Sequence, residues 1–112
     1  MKGNYLGEFE EVILLTVGIL EEEAYTVKLQ EALLENSNRK ATLSAIHTVL
    51  HRMEKKGFLE SQFGEASPER GGKRKRVFRL TQLGQNILVR TRDARQSLWS
   101  KMPELGVELK GS

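Results

Sequence analysis

The most regular pattern of apolar and polar positions lies between Thr42 and Gly57. Apolar residues recur there at i, i+3, i+6, i+7 and i+10, the spacing of a helix with one buried face: Leu43, Ile46, Val49, Leu50 and Met53. Thr42 suits the N-cap and Gly57 the C′ position, so we predict a helix through Lys56 with these five side chains in the core.

Two further helices are predicted before it. The segment Glu8 to Leu20 opens with glutamates and then carries apolar residues on nearly every side, so we expect a helix covered both by its own domain and by a partner subunit. A second helix is predicted from Thr26, as N-cap, to about Asn36. The polar residues 36–40 that follow are predicted to form a turn.

A basic β-hairpin is predicted after these helices. Phe58–Phe63 and Lys75–Leu80 are the predicted strands, and Gly71-Gly72 lies in the long connection between them. The stretch from Gly64 to Thr81 carries six basic residues: Arg70, Lys73, Arg74, Lys75, Arg76 and Arg79. One or two charges would serve to prevent edge-to-edge strand pairing, but six exceed that need and indicate a polyanionic partner.

The last predicted helix is capped by Thr81, runs to about Lys101 and ends before Pro103. Its apolar residues recur at spacings of three and four, which predicts a dimer seam, although such a stripe could instead pack on its own domain. The predicted interface residues are Ile87, Leu88, Thr91, Ala94, Leu98, Trp99 and Met102. Trp99 could anchor this interface or stack on a planar effector.

The length and charge of the chain limit the classes of function that it can have. The chain has 112 residues, enough for one domain, and a net charge of +3. Residues 1–35 contain 2 basic and 8 acidic groups, whereas residues 36–112 contain 16 basic and 7 acidic groups. The sequence has no cysteine, which excludes disulfides and cysteine-based metal or redox chemistry, and its longest apolar run is too short to span a bilayer. We expect a cytoplasmic protein without membrane contact, and no cofactor is expected.

A helix followed by a basic hairpin is the layout of a winged helix-turn-helix, which binds double-stranded DNA. We therefore predict a mainly α fold with a small β-hairpin, in which residues 1–81 bind DNA and residues 82–112 form a dimerisation helix and tail. The predicted base-reading residues are Ser44, His47, Thr48 and His51. The predicted phosphate-binding residues are Lys40, Arg52, Lys55, Arg70, Lys73, Arg74, Lys75 and Arg76.

Other chemistry has little support in the sequence. His47 and His51 have the i, i+4 spacing of a metal pair, but no third ligand and no metalloprotease glutamate accompany them. Gly72-Lys73 resembles the end of a phosphate-binding loop, yet Arg74 stands where Ser or Thr would bind magnesium. An enzyme is not expected. The alternative that stays open is a winged-helix adaptor that binds a protein without sequence-specific DNA recognition.

The chain also resembles the PadR family of transcriptional regulators over nearly its whole length. The resemblance lies in Leu6–Glu10, Glu23–Tyr25, Leu43–Gly57, Pro68–Arg76 and Leu80–Gly84. It implies a bacterial, homodimeric repressor with a winged helix-turn-helix that binds a palindromic operator. The length matches short members that respond to drugs, which implies a small planar effector. The family usually has tyrosine at the position of His47 and a small residue, often glycine, at that of Thr26.

Overall fold

The computed structural model of the protein describes residues 6–64 and 74–103. Within them it is mainly helical, with a two-stranded antiparallel hairpin, which confirms the predicted fold class. A short 3-10 turn, Glu21–Glu23, joins the first two helices. The elements are α1 (Glu8–Leu20), α2 (Thr26–Ser37), α3 (Leu43–Lys55), β1 (Leu59–Phe63), β2 (Arg76–Leu80) and α4 (Gln82–Ser100).

The helix ends follow the local sequence signals with one exception. The hydroxyls of Thr42 and Thr81 cap α3 and α4. Each accepts a hydrogen bond, 3.0 Å long, from the backbone N–H of the residue three positions later. Gly57 has the positive φ of 85° that favours glycine after a helix. The N-cap of α2 is Tyr25, and not Thr26 as predicted, because Tyr25 keeps an extended backbone while its carbonyl accepts the first helical N–H.

The core lies where α1, α2 and α3 pack on the inner side of the hairpin. Apolar residues from all these elements are buried there: Ile13, Leu14, Val17, Leu29, Leu33, Ile46, Val49, Leu50, Met53, Leu59 and Phe78. Four of the five apolar residues predicted for the core face of α3 are therefore buried. The prediction for Leu43 is wrong, since this first residue of the helix extends past the packed interior and is 42% exposed.

The hairpin is tied to the helical part by its backbone. β1 and β2 pair in register, with Leu59 opposite Leu80, and the Phe78 N–H donates to the Ala24 carbonyl at 2.8 Å. This hydrogen bond attaches the second strand to the residue that precedes the cap of α2. The base of the hairpin consequently has a fixed position beside the helix-turn-helix formed by α2 and α3.

The outer helices leave apolar surface exposed. α1 is covered on one side only, because Leu15 and Ile19 are exposed while their neighbours in the core are not. On α4, Ile87 and Thr91 are buried within the chain, so the predicted interface stripe divides into an inner part and an outer part. Those two residues pack on their own domain, which was the alternative for the stripe. No helix of the described segments is long and apolar enough to cross a membrane.

Candidate nucleic-acid interface

The face of α3 that points away from the core carries the predicted base-reading residues. Ser44, His47, Thr48 and His51 are all exposed, and they cover the first two and a half turns of the helix. The Thr48 hydroxyl donates to the Ser44 carbonyl at 2.9 Å, and its oxygen can still accept a hydrogen bond. Short hydroxyls and imidazoles on the first turns of a helix suit the donor and acceptor pattern of the major groove.

Cations flank this face at both ends of the helix. Lys40 lies in the turn before α3 and Lys55 in its last turn, and both are exposed. Arg52 is positioned differently, because its Nε donates to the Glu10 carboxylate of α1 at 3.0 Å. Arg52 is therefore the predicted phosphate ligand of this helix that forms an ion pair with another helix in the described structure.

The base of the hairpin presents three more of the predicted phosphate ligands. The Lys75 ammonium lies 3.7 Å from the centre of the Tyr25 ring, and Arg74 Nε donates to the Gly64 carbonyl at 3.1 Å. Arg76 Nε donates to Ser61 Oγ at 2.9 Å, and its Nη2 lies 3.4 Å from the carboxylate of Glu54 in α3. Lys75 and Arg76 are thus held beside α2 and α3, whereas Arg74 bonds across the base of the hairpin. The predicted ligands Arg70 and Lys73 lie outside the described residues.

Two residues of this surface, Arg39 and Tyr25, were not among the predicted site residues. Arg39, in the turn between α2 and α3, pairs with Glu8 at 2.6 Å and lies over the Phe9 ring, 4.7 Å from its centre. Tyr25 provides the ring beneath Lys75. The basic charge of Arg39 was visible in the sequence, but its contacts join residues 30 or more positions apart, so no local pattern indicated them.

Glu10 is a titratable group of this surface whose pKa is clearly shifted. Burial acts to raise the pKa of Glu10, but the Gly7 N–H, the Arg52 guanidinium and the charge of Lys56 together hold that pKa below its ordinary value of 4.5. The carboxylate therefore stays charged at neutral pH and keeps its pair with Arg52. In the described part of the chain no three His, Cys, Asp or Glu side chains are grouped so as to hold a metal ion.

The outer part of the predicted α4 stripe lies toward the C-terminal end of the helix. Leu88 and Ala94 are half-buried, whereas Leu98, Trp99 and Met102 are exposed near the end of the helix. Trp99 is 58% exposed, which is large for a tryptophan in a folded domain. The structure thus brings three of the predicted interface residues together as a contiguous apolar end of α4.

A polar helix face beside cations at the base of a hairpin defines the class: a winged helix-turn-helix regulator that binds DNA. The model of the PadR-like family of transcriptional regulators matches residues 14–90. The chain belongs to this family.

Solved structures support the same fold. The chain is 20% identical to a PadR-like transcription factor from Bacteroides fragilis, with 82% of this chain and 84% of that chain covered at a TM-score of 0.69. It is 21% identical to a PadR family regulator from Eggerthella lenta, over 83% and 80% of the two chains at a TM-score of 0.67. A PadR family regulator from Clostridium difficile is 22% identical, over 80% and 91% at a TM-score of 0.63. A comparison with curated proteins finds no match.

Proposed function

We propose that the protein is a homodimeric repressor of the bacterial cytoplasm, which binds a palindromic operator and is released by a small planar effector. The observation that carries the proposal is the exposed polar face of α3 beside the cations of the hairpin base. In this arrangement Ser44, His47, Thr48 and His51 read base edges. Lys40, Arg52, Lys55 and the basic hairpin hold the phosphates on either side.

The dimer is supported by the apolar surface that the chain leaves open. Leu98, Trp99 and Met102 are exposed at one end of α4, and Leu15 and Ile19 are exposed on α1. Apolar side chains of this size are normally covered when they cluster on a folded domain. A second copy of the chain would cover them and would also supply the second recognition helix that a palindrome requires. Trp99 is the residue proposed to stack on the effector.

Repression is the proposed direction of regulation because the DNA-binding unit accounts for most of the described chain. DNA occupied by such a unit is closed to other proteins, and activation would need a further contact surface. The family membership supports a transcriptional role and the absence of an enzymatic one.

The test is fluorescence anisotropy with the duplex upstream of the protein's own gene and a scrambled duplex of equal length, across a salt series. The proposal predicts tighter binding to the upstream duplex and an affinity that falls steeply with salt, by about 0.9 log units per tenfold of salt for each phosphate that the protein neutralises. Equal, weak binding to both duplexes would favour the adaptor alternative.

Two sets of variants separate phosphate binding from base reading. Replacing Arg74 and Lys75 together with alanine should weaken binding to both duplexes and flatten the salt slope by about 0.9 for each phosphate that is no longer neutralised. The matched control removes two charges from α4, at Arg90 and Arg92. Thr48→Ala should instead lower the preference for the operator by roughly fivefold, the lower end for a base contact. Equal effects of the hairpin and Thr48 variants would contradict this division.

A further inference from the structure

Three glutamates in the first turn of α1 reach three different parts of the fold. Glu8 pairs with Arg39 in the turn between α2 and α3, at 2.6 Å. Glu10 pairs with Arg52 of α3 at 3.0 Å. Glu11 pairs with Arg95 of α4, also at 3.0 Å. One helical turn is therefore paired with both the DNA-reading helix and the outer helix.

Glu10 is held at both of its oxygens. Oε1 accepts the Gly7 N–H at 2.9 Å in the capping box of α1, and Oε2 accepts the Arg52 Nε–H at 3.0 Å. Its side chain is only 17% exposed, so water screens this pair less than a pair on the open surface. The N-terminus of α1 thus holds Arg52, which lies in the last turn of α3, in a defined orientation.

Glu11 makes the corresponding contact with α4. Its side chain is 15% exposed, and its partner Arg95 lies one turn beyond Thr91, the last buried residue of α4. Past this point the apolar stripe of α4 continues into the exposed Leu98. The Glu11–Arg95 pair consequently attaches α4 to the domain one turn beyond its last buried residue.

A small rotation of α4 would matter in a dimer. The helix has 19 residues, so at 1.5 Å per residue a rotation of about 10° at its base moves its far end by about 5 Å. This displacement exceeds the rise of one base-pair step, about 3.4 Å. Since two recognition helices must meet half-sites about 34 Å apart, the angle between α3 and α4 decides which spacing fits.

We propose that Glu10 and Glu11 are positioning residues for operator binding, which fix the angle between α3 and α4 through Arg52 and Arg95. The inference rests on the proposed dimeric, operator-binding function. It assigns to the acidic turn of α1 the selection of half-site spacing, a role distinct from holding phosphates or bases.

The first experiment measures the geometry without DNA. The native chain has no cysteine, so spin labels can be placed by Lys55→Cys and Gln96→Cys, on exposed positions of α3 and α4. Double electron–electron resonance on labelled chains diluted with unlabelled protein reports the distance within one chain. The distribution should broaden or shift in Glu10→Gln, in Glu11→Gln and in Arg95→Gln. The control Glu60→Gln also breaks an exposed ion pair, with Arg79 on the hairpin, and should match the unsubstituted sequence.

The second experiment measures operator spacing. Anisotropy is compared for an isolated half-site, the full operator, and operators with one base pair added or removed between the half-sites. Glu11→Gln and Arg95→Gln should both leave half-site affinity within the range of the Glu60→Gln control. Both should lower the ratio of full-site to half-site affinity by about threefold, the scale of a partly exposed ion pair, and should relax the spacing preference.

The two substitutions change the net charge in opposite directions, which separates geometry from electrostatics. An effect of charge alone would raise DNA affinity in Glu11→Gln and lower it in Arg95→Gln. We expect the two substitutions to change the ratio of full-site to half-site affinity in the same direction. We also expect the double variant Glu11→Arg with Arg95→Glu, which exchanges the two charges, to recover the spacing preference. Unchanged distance distributions, or equal reductions of affinity for half-site and full operator, would overturn the inference. If the unsubstituted protein binds no duplex specifically, the proposed function fails, and the spin-label distances alone still decide whether the acidic turn fixes α4.

Discussion

Among the glycines of the described residues, Gly84 is the one at which an added methyl group would make the shortest contact. It is buried in the first turn of α4, where a Cβ would overlap the carbonyl oxygen of Phe58 and lie 3.0 Å from the carbonyl carbon. Those atoms belong to backbone that is held in place, because the Phe58 carbonyl accepts the Thr81 N–H at 3.1 Å. The Thr81 hydroxyl also donates to the Gly57 carbonyl at 2.6 Å. Relief therefore requires α4 to move away from the hairpin.

The size of the destabilisation depends on which atoms the added Cβ would overlap, and here they are backbone atoms. Forcing extra carbon into packed structure costs about 1–3 kcal/mol, and the upper end applies here because backbone atoms cannot rotate away. The higher helix propensity of alanine relative to glycine offsets about 0.5–1 kcal/mol of this destabilisation. We expect Gly84→Ala to lower the free energy of unfolding by about 2 kcal/mol, which corresponds to roughly 10 °C in Tm for a domain of this size.

Gly18→Ala is the matched control, since it adds the same methyl group to another helix. A Cβ there would lie 3.1 Å from Leu80 Cδ1, the end of a flexible side chain that can turn aside. We expect this variant to be as stable as the unsubstituted protein or about 0.5 kcal/mol more stable. Circular dichroism melts at one fixed protein concentration measure both, because dimerisation makes Tm depend on concentration. A Tm for Gly84→Ala equal to that of Gly18→Ala would refute the reasoning.

Two further expectations concern the N-terminal ends of α1 and α3. The lowered pKa of Glu10 means that its carboxylate contributes stability above its unfolded pKa and loses it as the pH falls through the folded value. Urea unfolding should therefore show the unsubstituted protein losing more stability than Glu10→Gln between roughly pH 5 and pH 3, and parallel curves would count against the pair with Arg52. Thr42→Ala should lower the free energy of unfolding by about 1 kcal/mol, because the hydroxyl accepts the Ala45 N–H. Thr42→Ser retains that acceptor, so an equal loss of stability in both variants would contradict the capping role.

The elements of the fold were predictable because their signals are local. Thr42 and Thr81 have side chains that cap a helix wherever it starts, and Gly57 tolerates the positive φ at its end. The spacing of the apolar residues in α3 then predicts which face of that helix is buried. The same period placed Leu43 in the core, but a period describes a face and not how far packing extends along it. Leu43 lies beyond that extent.

The exposure of the candidate site residues on α3 was predictable from the sequence, but the contacts of the site were not. The exposed face of α3 follows from the position of its core face, so Ser44 and Thr48 could be placed. The pairing of Arg52 with Glu10 joins residues 42 positions apart, and that of Arg76 with Glu54 joins residues 22 apart. Such partners depend on how helices are packed, which has no signature in a local window. The division of the α4 stripe depends on the same packing.

These pairs change what the cations of the surface can do. An exposed ion pair contributes little stability, about 0–1 kcal/mol, so a phosphate brought close by DNA can compete with Glu54 for Arg76. The carboxylate meanwhile restricts the guanidinium to few conformations before DNA arrives, and less side-chain entropy then remains to be lost on binding. Lys40 and Lys55 are exposed and form no ion pair within the described residues, so in the proposed complex with DNA they would lose more side-chain freedom when they contact phosphates. In the proposed complex with DNA, Arg76 would therefore act as a prepositioned phosphate ligand, whereas Lys40 and Lys55 would contribute charge without prepositioning.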